Sequence, residues 1–214
     1  MNYKIKLCKL QFKKNKFILV GAVSFIYFVI IPIQNQIQIE EISEMQKLMK
    51  LFSSIHLFLP LYFLLFLFIG LKQMLYLNLC EVIYQIYNKE KFSFTLLWGG
   101  IATLFLIPYH LWNSYYYTGY LPIICYSLYE QLFLTALFYC LTQLSCSALI
   151  GVIWVLLFNF ASLIHLIPEN ISIIQSWYHP SSIKIEWYLS YLILILFLII
   201  SGRLLEKSII EAQD

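Results

Sequence analysis

Six long apolar runs, separated by short polar stretches, most constrain how this chain of 214 residues can fold. A helix that crosses the roughly 30 Å hydrocarbon core of a bilayer needs about 20 apolar residues, because each residue adds 1.5 Å. Charged residues make up only 12% of the chain, whereas they make up about a quarter of a typical soluble domain. We therefore expect an all-α polytopic membrane protein with a single transmembrane domain over residues 1–214. The six predicted spans lie at about 17–33, 51–71, 96–115, 122–142, 148–166 and 187–202.

Lysine and arginine are distributed unevenly between the two ends of these spans. If the N-terminus is cytoplasmic, the cytoplasmic segments hold 11 of the 14 basic residues. Basic residues concentrate on the cytoplasmic side of membrane proteins. The pattern thus predicts a protein of the cytoplasmic membrane with both termini in the cytoplasm. The abundance of Ile, Lys, Asn and Tyr is typical of an AT-rich genome, which agrees with a bacterial source.

The first 16 residues carry six lysines beside a short apolar stripe formed by Tyr3, Leu7 and Leu10. A lysine-rich helix with one apolar side binds to the surface of an anionic bilayer. Residues 1–16 are therefore expected to form an interfacial helix in contact with membrane lipid. A plain positively charged anchor that fixes orientation is the equal alternative.

A polar stretch, residues 72–94, separates the second predicted span from the third. Its apolar residues recur at helical spacing along one face, while polar side chains cover the rest. The stretch is too short and too polar to cross a bilayer, so we expect an amphipathic helix that faces a partner in the cytoplasm. The apolar stripe consists of Leu75, Leu79, Val82, Ile83 and Ile86.

The remaining connections differ in character. On the outer side we expect a polar, acidic loop over residues 34–50 and a tight turn around 118–121. On the inner side we expect a short loop over 143–147. The last outer segment, 167–186, is long and rich in aromatic residues, which suit the headgroup layer. We expect it to fold back onto the membrane surface as a re-entrant segment.

Motifs for catalysis are missing from the sequence. It contains no phosphate-binding G-x-x-x-x-G-K-[ST] loop, no H-E-x-x-H, no G-x-S-x-G and no G-x-G-x-x-G. Its five cysteines form no C-x-x-C pair and its four histidines are scattered, so no metal site is expected. We predict a chain with no catalytic site, no bound cofactor and no nucleic-acid partner.

Several polar side chains fall inside the predicted spans, at similar depth in their outer halves. A charge such as that of Glu130 is costly in hydrocarbon and often marks a functional site. Alternatively, such groups form hydrogen bonds that hold the helices together. We favour a functional role for Glu130 and treat the group as candidates for a translocation path or a dimer seam. These residues are Glu130, Gln131, His110, Asn113, Asn159 and His56.

The order of these features resembles the permease subunits of ABC transporters of the type-2 exporter class. The resemblance covers essentially the whole chain, and its most specific parts are residues 81–91, which look like the family's first coupling helix, and residues 141–151, which look like its second inner contact. It implies a separate ATP-binding subunit that binds ATP and Mg, and a second permease subunit, identical or paralogous. The contacts that it implies with the ATP-binding subunit are Glu81, Tyr84, Gln85, Tyr87, Asn88, Lys89, Lys91, Gln143 and Ser145.

The resemblance further implies export of a peptide, such as an antimicrobial peptide, or of an amphipathic lipid-like molecule. Three alternatives are a substrate-capture subunit of a vitamin-uptake ABC transporter, a secondary transporter and a membrane-embedded enzyme. The first would need small residues four apart in the first span, where Gly21 is instead followed by Phe25. The second would normally show internal repeats, and the third a cluster of acid, base or metal-binding groups. The sequence shows no internal repeat, and only the loose group around Glu130 could form such a cluster.

Overall fold

The structure is a computed structural model that describes residues 3–75, 91–163, 166 and 185–211. No strand occurs among these residues. The chain begins with α1, which continues through a π-helical turn into α2. The helices are α1 (Tyr3–Phe25), the π-helical turn (Ile26–Ile30), α2 (Ile31–Ile39), α3 (Glu44–Leu75), α4 (Lys91–Tyr116), α5 (Leu121–Ser145), α6 (Ala148–Leu163) and α7 (Ile185–Glu211).

Five stretches of helix are long and apolar enough to cross a membrane. They correspond to the first, second, third, fourth and sixth of the predicted spans. The fifth predicted span, 148–166, corresponds to α6, which has only 16 residues. A helix of that length reaches about 24 Å, less than the hydrocarbon core of a typical bilayer. The described chain is thus all-helical with five spanning helices and one shorter apolar helix.

All helices except α6 extend further than the apolar runs that predicted them. The expected outer loop over 34–50 is almost entirely helical, and only residues 40–43 separate α2 from α3. Beyond the hydrocarbon, water and headgroups can solvate polar side chains while the backbone stays helical. A hydropathy pattern therefore marks where a helix leaves the hydrocarbon and does not mark where the helix ends.

Two of the predicted connecting segments lie mostly outside the described residues. Of the polar stretch 72–94, the first four residues complete α3 and the last four begin α4, whereas residues 76–90 are not described. Of the re-entrant segment 167–186, only the last two residues are described, at the start of α7. Of the expected interfacial helix over 1–16, the described residues 3–16 belong to α1, which has non-helical backbone angles at Asn15 (φ −107°, ψ 15°).

The basic end of the bundle is the end at which α1 and α4 begin and α3, α5 and α7 end. Contacts along the helices establish this arrangement. Gln11 of α1 bonds to Gly70 and Trp98, whereas Gln34 of α2 reaches Tyr109 further along α4. Lys72, Lys91 and Arg203 lie at the basic end, together with the N-terminal lysines.

Helix α5 lies at the centre of the bundle, in contact with α3, α4, α6 and α7. Aromatic side chains fill much of the core around it. Near the basic end, Trp98 is fully buried and stacks on Phe12 with the ring centroids 5.8 Å apart. The indole Nε1 of Trp98 also donates to Gln11 Oε1 at 2.9 Å, and Gln11 Nε2 donates to the carbonyl of Gly70 at 3.1 Å. One glutamine thereby ties α1 to both α3 and α4.

Glycines allow the closest helix approaches. A Cβ atom placed on Gly70 would lie 2.5 Å from the Trp98 ring, and one on Gly202 of α7 would lie 2.7 Å from the Tyr139 ring. A Cβ on Gly151 of α6 would lie 2.4 Å from Thr142 Oγ1. Small residues at helix contacts are typical of membrane proteins, where packing replaces the hydrophobic effect as the force that joins helices.

We predict that Gly70→Ala destabilises the protein by about 1–3 kcal/mol, because the added methyl group must displace the buried indole of Trp98. Gly100→Ala is the matched control, since a Cβ there meets nothing within 4 Å. This control should be neutral or stabilising by up to about 1 kcal/mol, as is usual when alanine replaces glycine within a helix. Thermal unfolding of the purified chain in detergent measures both. Equal effects of the two substitutions would show that α3 and α4 are not in contact at Gly70.

Candidate functional site

A chain of hydrogen-bonded side chains connects α4 and α5 inside the bundle. The hydroxyl of Thr103 donates to Gln131 Oε1 at 2.6 Å, and Gln131 Nε2 donates to Ser127 Oγ at 3.1 Å. Ser127 Oγ lies 3.4 Å from His110 Nε2, and the other ring nitrogen, Nδ1, lies 3.0 Å from the hydroxyl of Tyr120. These five side chains are the central polar network.

The direction of these bonds follows from what each group can donate. Because Ser127 accepts from Gln131, its own proton is available to His110 Nε2. If Ser127 donates to Nε2, a neutral imidazole carries its proton on Nδ1 and donates it to Tyr120; in the other tautomer Nε2 donates to Ser127 and Tyr120 donates to Nδ1. In either tautomer each bond of the central polar network has a donor and an acceptor.

Helical spacing places these residues on facing surfaces. On α5, Ser127, Gln131 and Thr135 are four residues apart and form one buried stripe. On α4, Thr103 and His110 are seven residues apart, which is close to two turns, so they also share a face. Thr135 closes the stripe by donating to the backbone carbonyl of Gln131 at 2.7 Å.

A second set of hydrogen bonds joins α2, α3 and the end of α4. Gln34 Nε2 lies 2.8 Å from both Ser54 Oγ and the hydroxyl of Tyr109. The hydroxyl of Tyr117 donates to the backbone carbonyl of Gln34 at 2.8 Å. Burial, and then the nearby carboxylate of Glu44, raise the pKa of the Tyr117 phenol, so this group stays protonated and remains a donor.

Asn113 lies between these two sets. Its side chain is buried, it adjoins the phenols of Tyr109 and Tyr120, and its Nδ2 has no hydrogen-bond acceptor. Burial also raises the pKa of the Tyr120 phenol. An amide donor that is buried without an acceptor costs free energy, and the oxygens of these two adjoining phenols are acceptors that the protein itself offers to Asn113.

The structure brings some of the six predicted path residues together. His110 and Gln131 belong to the central polar network, and Asn113 adjoins it at Tyr120. Glu130, next to Gln131 on α5, and Asn159 on α6 are also buried, and each has an interaction partner of its own. The side chain of His56 lies outside the described residues.

Sequence reasoning missed half of this region. Thr103, Tyr109, Tyr120 and Gln34 were not predicted as site residues, although they supply most of the partners. Three of these are threonine or tyrosine, which occur often in membrane helices without a polar partner. Of these four residues, only Gln34 could have been recognised from the sequence. An amide that directly follows an apolar run needs hydrogen-bond partners, which indicates a polar site nearby.

The residues predicted to contact an ATP-binding subunit are described only in part. Lys91 and Gln143 are buried within this chain, and Ser145 is half-buried, with its hydroxyl 2.7 Å from the carbonyl of Leu141. Leu144 and Cys146 are the exposed residues of the same turn. The other predicted contacts lie outside the described residues: Glu81, Tyr84, Gln85, Tyr87, Asn88 and Lys89.

The central polar network is suited to binding and not to metal chemistry. Within the described ranges no three His, Cys, Asp or Glu side chains are close enough together to hold a metal ion. The available groups are hydroxyls, amides and one imidazole. Such groups bind a ligand through hydrogen bonds and can exchange one hydrogen-bond partner for another at small cost.

We predict that Thr103→Val and Gln131→Leu have coupled effects on stability, because each removes one end of the same 2.6 Å hydrogen bond. The coupling energy from a double-mutant cycle should be about 0.6–1.7 kcal/mol, the range measured for hydrogen bonds between membrane helices. Thr103→Val combined with Leu132→Ala is the control cycle, since Leu132 is exposed on α5. Additive effects on stability in both cycles would show that Thr103 and Gln131 do not form this hydrogen bond.

No protein-family profile matches this chain, and neither a curated protein nor a solved structure shows significant similarity to it.

Proposed function

We propose that this chain is a permease subunit that forms half of a translocation pathway across the cytoplasmic membrane of a bacterium. The observation that carries the proposal is the central polar network, a continuous set of hydrogen-bonding side chains between α4 and α5, of which all but the half-buried Thr103 are buried. A bundle in hydrocarbon needs no such network for stability, because hydrogen bonds between membrane helices contribute little on average. Polar side chains in this position are useful when a polar part of a substrate must pass.

The proposed energy source is ATP, hydrolysed with Mg by a separate ATP-binding subunit. The chain's resemblance to type-2 ABC exporter permeases supports this choice, as does the accumulation of basic residues at one end of the bundle. Residues 72–94 connect α3 to α4 at the basic end. A partner that binds this stretch can move the start of α4, and α4 carries Thr103 and His110 of the central polar network.

A second permease subunit, identical or paralogous, completes the proposed pathway. Within the described residues, apolar side chains fill the core between the helices, so the proposed path lies between two subunits. The substrate class is a peptide or an amphipathic lipid-like molecule. Peptide carbonyls and lipid esters are hydrogen-bond acceptors, and the hydroxyl and amide groups of the central polar network can donate to them.

The proposal predicts that the tagged chain, purified from its native membrane in mild detergent, brings an ATP-binding subunit with it. The reconstituted complex should hydrolyse ATP faster in the presence of its substrate, for which a panel of cationic amphipathic peptides and phospholipids is the probe. A chain that transports a probe with no ATP-binding partner would instead be a secondary transporter, and the proposal would be wrong.

Glu130→Gln tests the pathway itself. Because Glu130 is a buried carboxylate inside a predicted span, we expect the neutral side chain to reduce substrate-stimulated ATP hydrolysis at least about tenfold, which equals roughly 1.4 kcal/mol. The amount of inserted protein should stay unchanged. Leu128→Ala, an exposed position on the same helix, is the control and should keep its activity. Full activity of the Glu130→Gln variant would show that the Glu130 carboxylate is not part of the translocation pathway.

A further inference from the structure

A second polar site, separate from the central polar network, lies at the basic end between α5 and α7. Helix α7 approaches α5 closely at Gly202, where an added Cβ would lie 3.3 Å from the backbone of Cys140. One turn later on α7, Glu206 is 6% exposed and accepts a hydrogen bond from the hydroxyl of Tyr139. This bond occupies Oε2 of the carboxylate. The other oxygen, Oε1, is buried and has no hydrogen-bond partner.

Arg203, three residues before Glu206 on α7, makes its contact with another helix. Arg203 stacks its guanidinium on Phe92, with the guanidinium carbon 4.8 Å from the ring centroid. Phe92 in turn contacts Tyr139, with the ring centroids 5.1 Å apart. Among the described residues, Arg203 and Glu206 form no ion pair with each other. The guanidinium of Arg203 therefore contacts Phe92 of α4, while the carboxylate of Glu206 accepts its hydrogen bond from Tyr139 of α5.

Helix geometry gives Arg203 a second position. Residues three apart in a helix lie on neighbouring parts of its surface, with their Cβ atoms roughly 5–6 Å apart. The long arginine side chain can span that distance, and a guanidinium is the donor that best fits a carboxylate. The unpaired Oε1 of Glu206 is thus within reach of Arg203 once the guanidinium leaves Phe92.

We propose that Arg203 is a two-position switch, bound to Phe92 when the start of α4 is close to α7 and to Glu206 when the two separate. Phe92 is the second residue of α4 and directly follows the connection from α3. Any displacement of the start of α4 therefore moves the ring from under the guanidinium. The buried carboxylate of Glu206 then gains a positively charged partner, which it does not have in the described conformation. Tyr139 keeps its bond to Glu206 in both positions, because Oε2 is not involved in the exchange.

Other charged or titratable groups at this end do not replace Arg203. Lys91 is buried beside Phe92 on α4 and has an interaction partner of its own. Lys207 follows Glu206 directly and thus projects from a different side of α7. Cys140 contributes its backbone to the contact with Gly202. The switch needs only this chain, so it is independent of whether an ATP-binding subunit moves α4.

A double-mutant cycle in two backgrounds tests the switch on the full chain in detergent micelles. Arg203→Gln and Glu206→Gln are combined first with Phe92 present and then with Phe92→Leu, which keeps an apolar side chain but removes the aromatic face. With Phe92, the two shifts in unfolding temperature should add. With Phe92→Leu, we expect them to deviate from additivity by roughly 3–6 °C, because Arg203 then pairs with Glu206.

Matched variants separate the switch from a general loss of packing. Phe92→Tyr retains the aromatic face and should behave like the native chain, and Phe92→Met serves if the leucine variant does not fold. Lys207→Gln in place of Arg203→Gln should give additive shifts in every background. Additive shifts of Arg203→Gln and Glu206→Gln with Phe92→Leu would overturn the proposal. So would a deviation of the same size with Phe92 present, since that would show the two side chains already paired.

Discussion

Hydrocarbon contains no hydrogen-bond partner, so every polar atom inside this bundle must find one within the protein. The backbone meets this requirement by being helical almost throughout the described residues. The side chains meet it less completely. Gln11, Gln34 and Gln131 each use their amide to connect two other helices or side chains, whereas Asn113 Nδ2, Thr142 Oγ1, Gln143 Nε2 and Glu206 Oε1 are buried without a partner.

The position of α5 explains how polar groups at both ends of the bundle come to be buried. Ser127, Gln131, Thr135, Tyr139 and Gln143 follow one another at every fourth residue, and all are buried. Since four residues turn a helix slightly past one full revolution, this row winds gradually around α5. Near Ser127 it faces α4, and near Tyr139 it faces α7. The same row therefore supplies the central polar network and the partner of Glu206, with Phe138 and Ala136 buried between them.

Much of the fold could be predicted from hydropathy, because a run of apolar residues long enough to cross a bilayer has no other stable environment. The ends of the helices could not be predicted in this way, since polar residues beyond the hydrocarbon can form either helix or loop. For that reason the loop expected at 34–50 is mostly helix, and Gln34 became a core residue. Glu206 was missed for a related reason: the last span was expected to end at residue 202, and the glutamate lies beyond that limit. The stripe of Ser127, Gln131 and Thr135 was predictable from spacing, but its partner Thr103 was not, because a single threonine gives no sign of what lies opposite.

The proposed function depends on the basic end of the bundle facing the cytoplasm, where ATP is available. Cys146 is exposed in the turn between α5 and α6 at that end, and the other four cysteines can be replaced by serine so that it is the only thiol. A membrane-impermeant thiol reagent should then leave intact cells unlabelled and label inverted membrane vesicles. Labelling of Cys146 in intact cells would place the basic end outside and contradict the assignment of this chain to an ATP-driven permease.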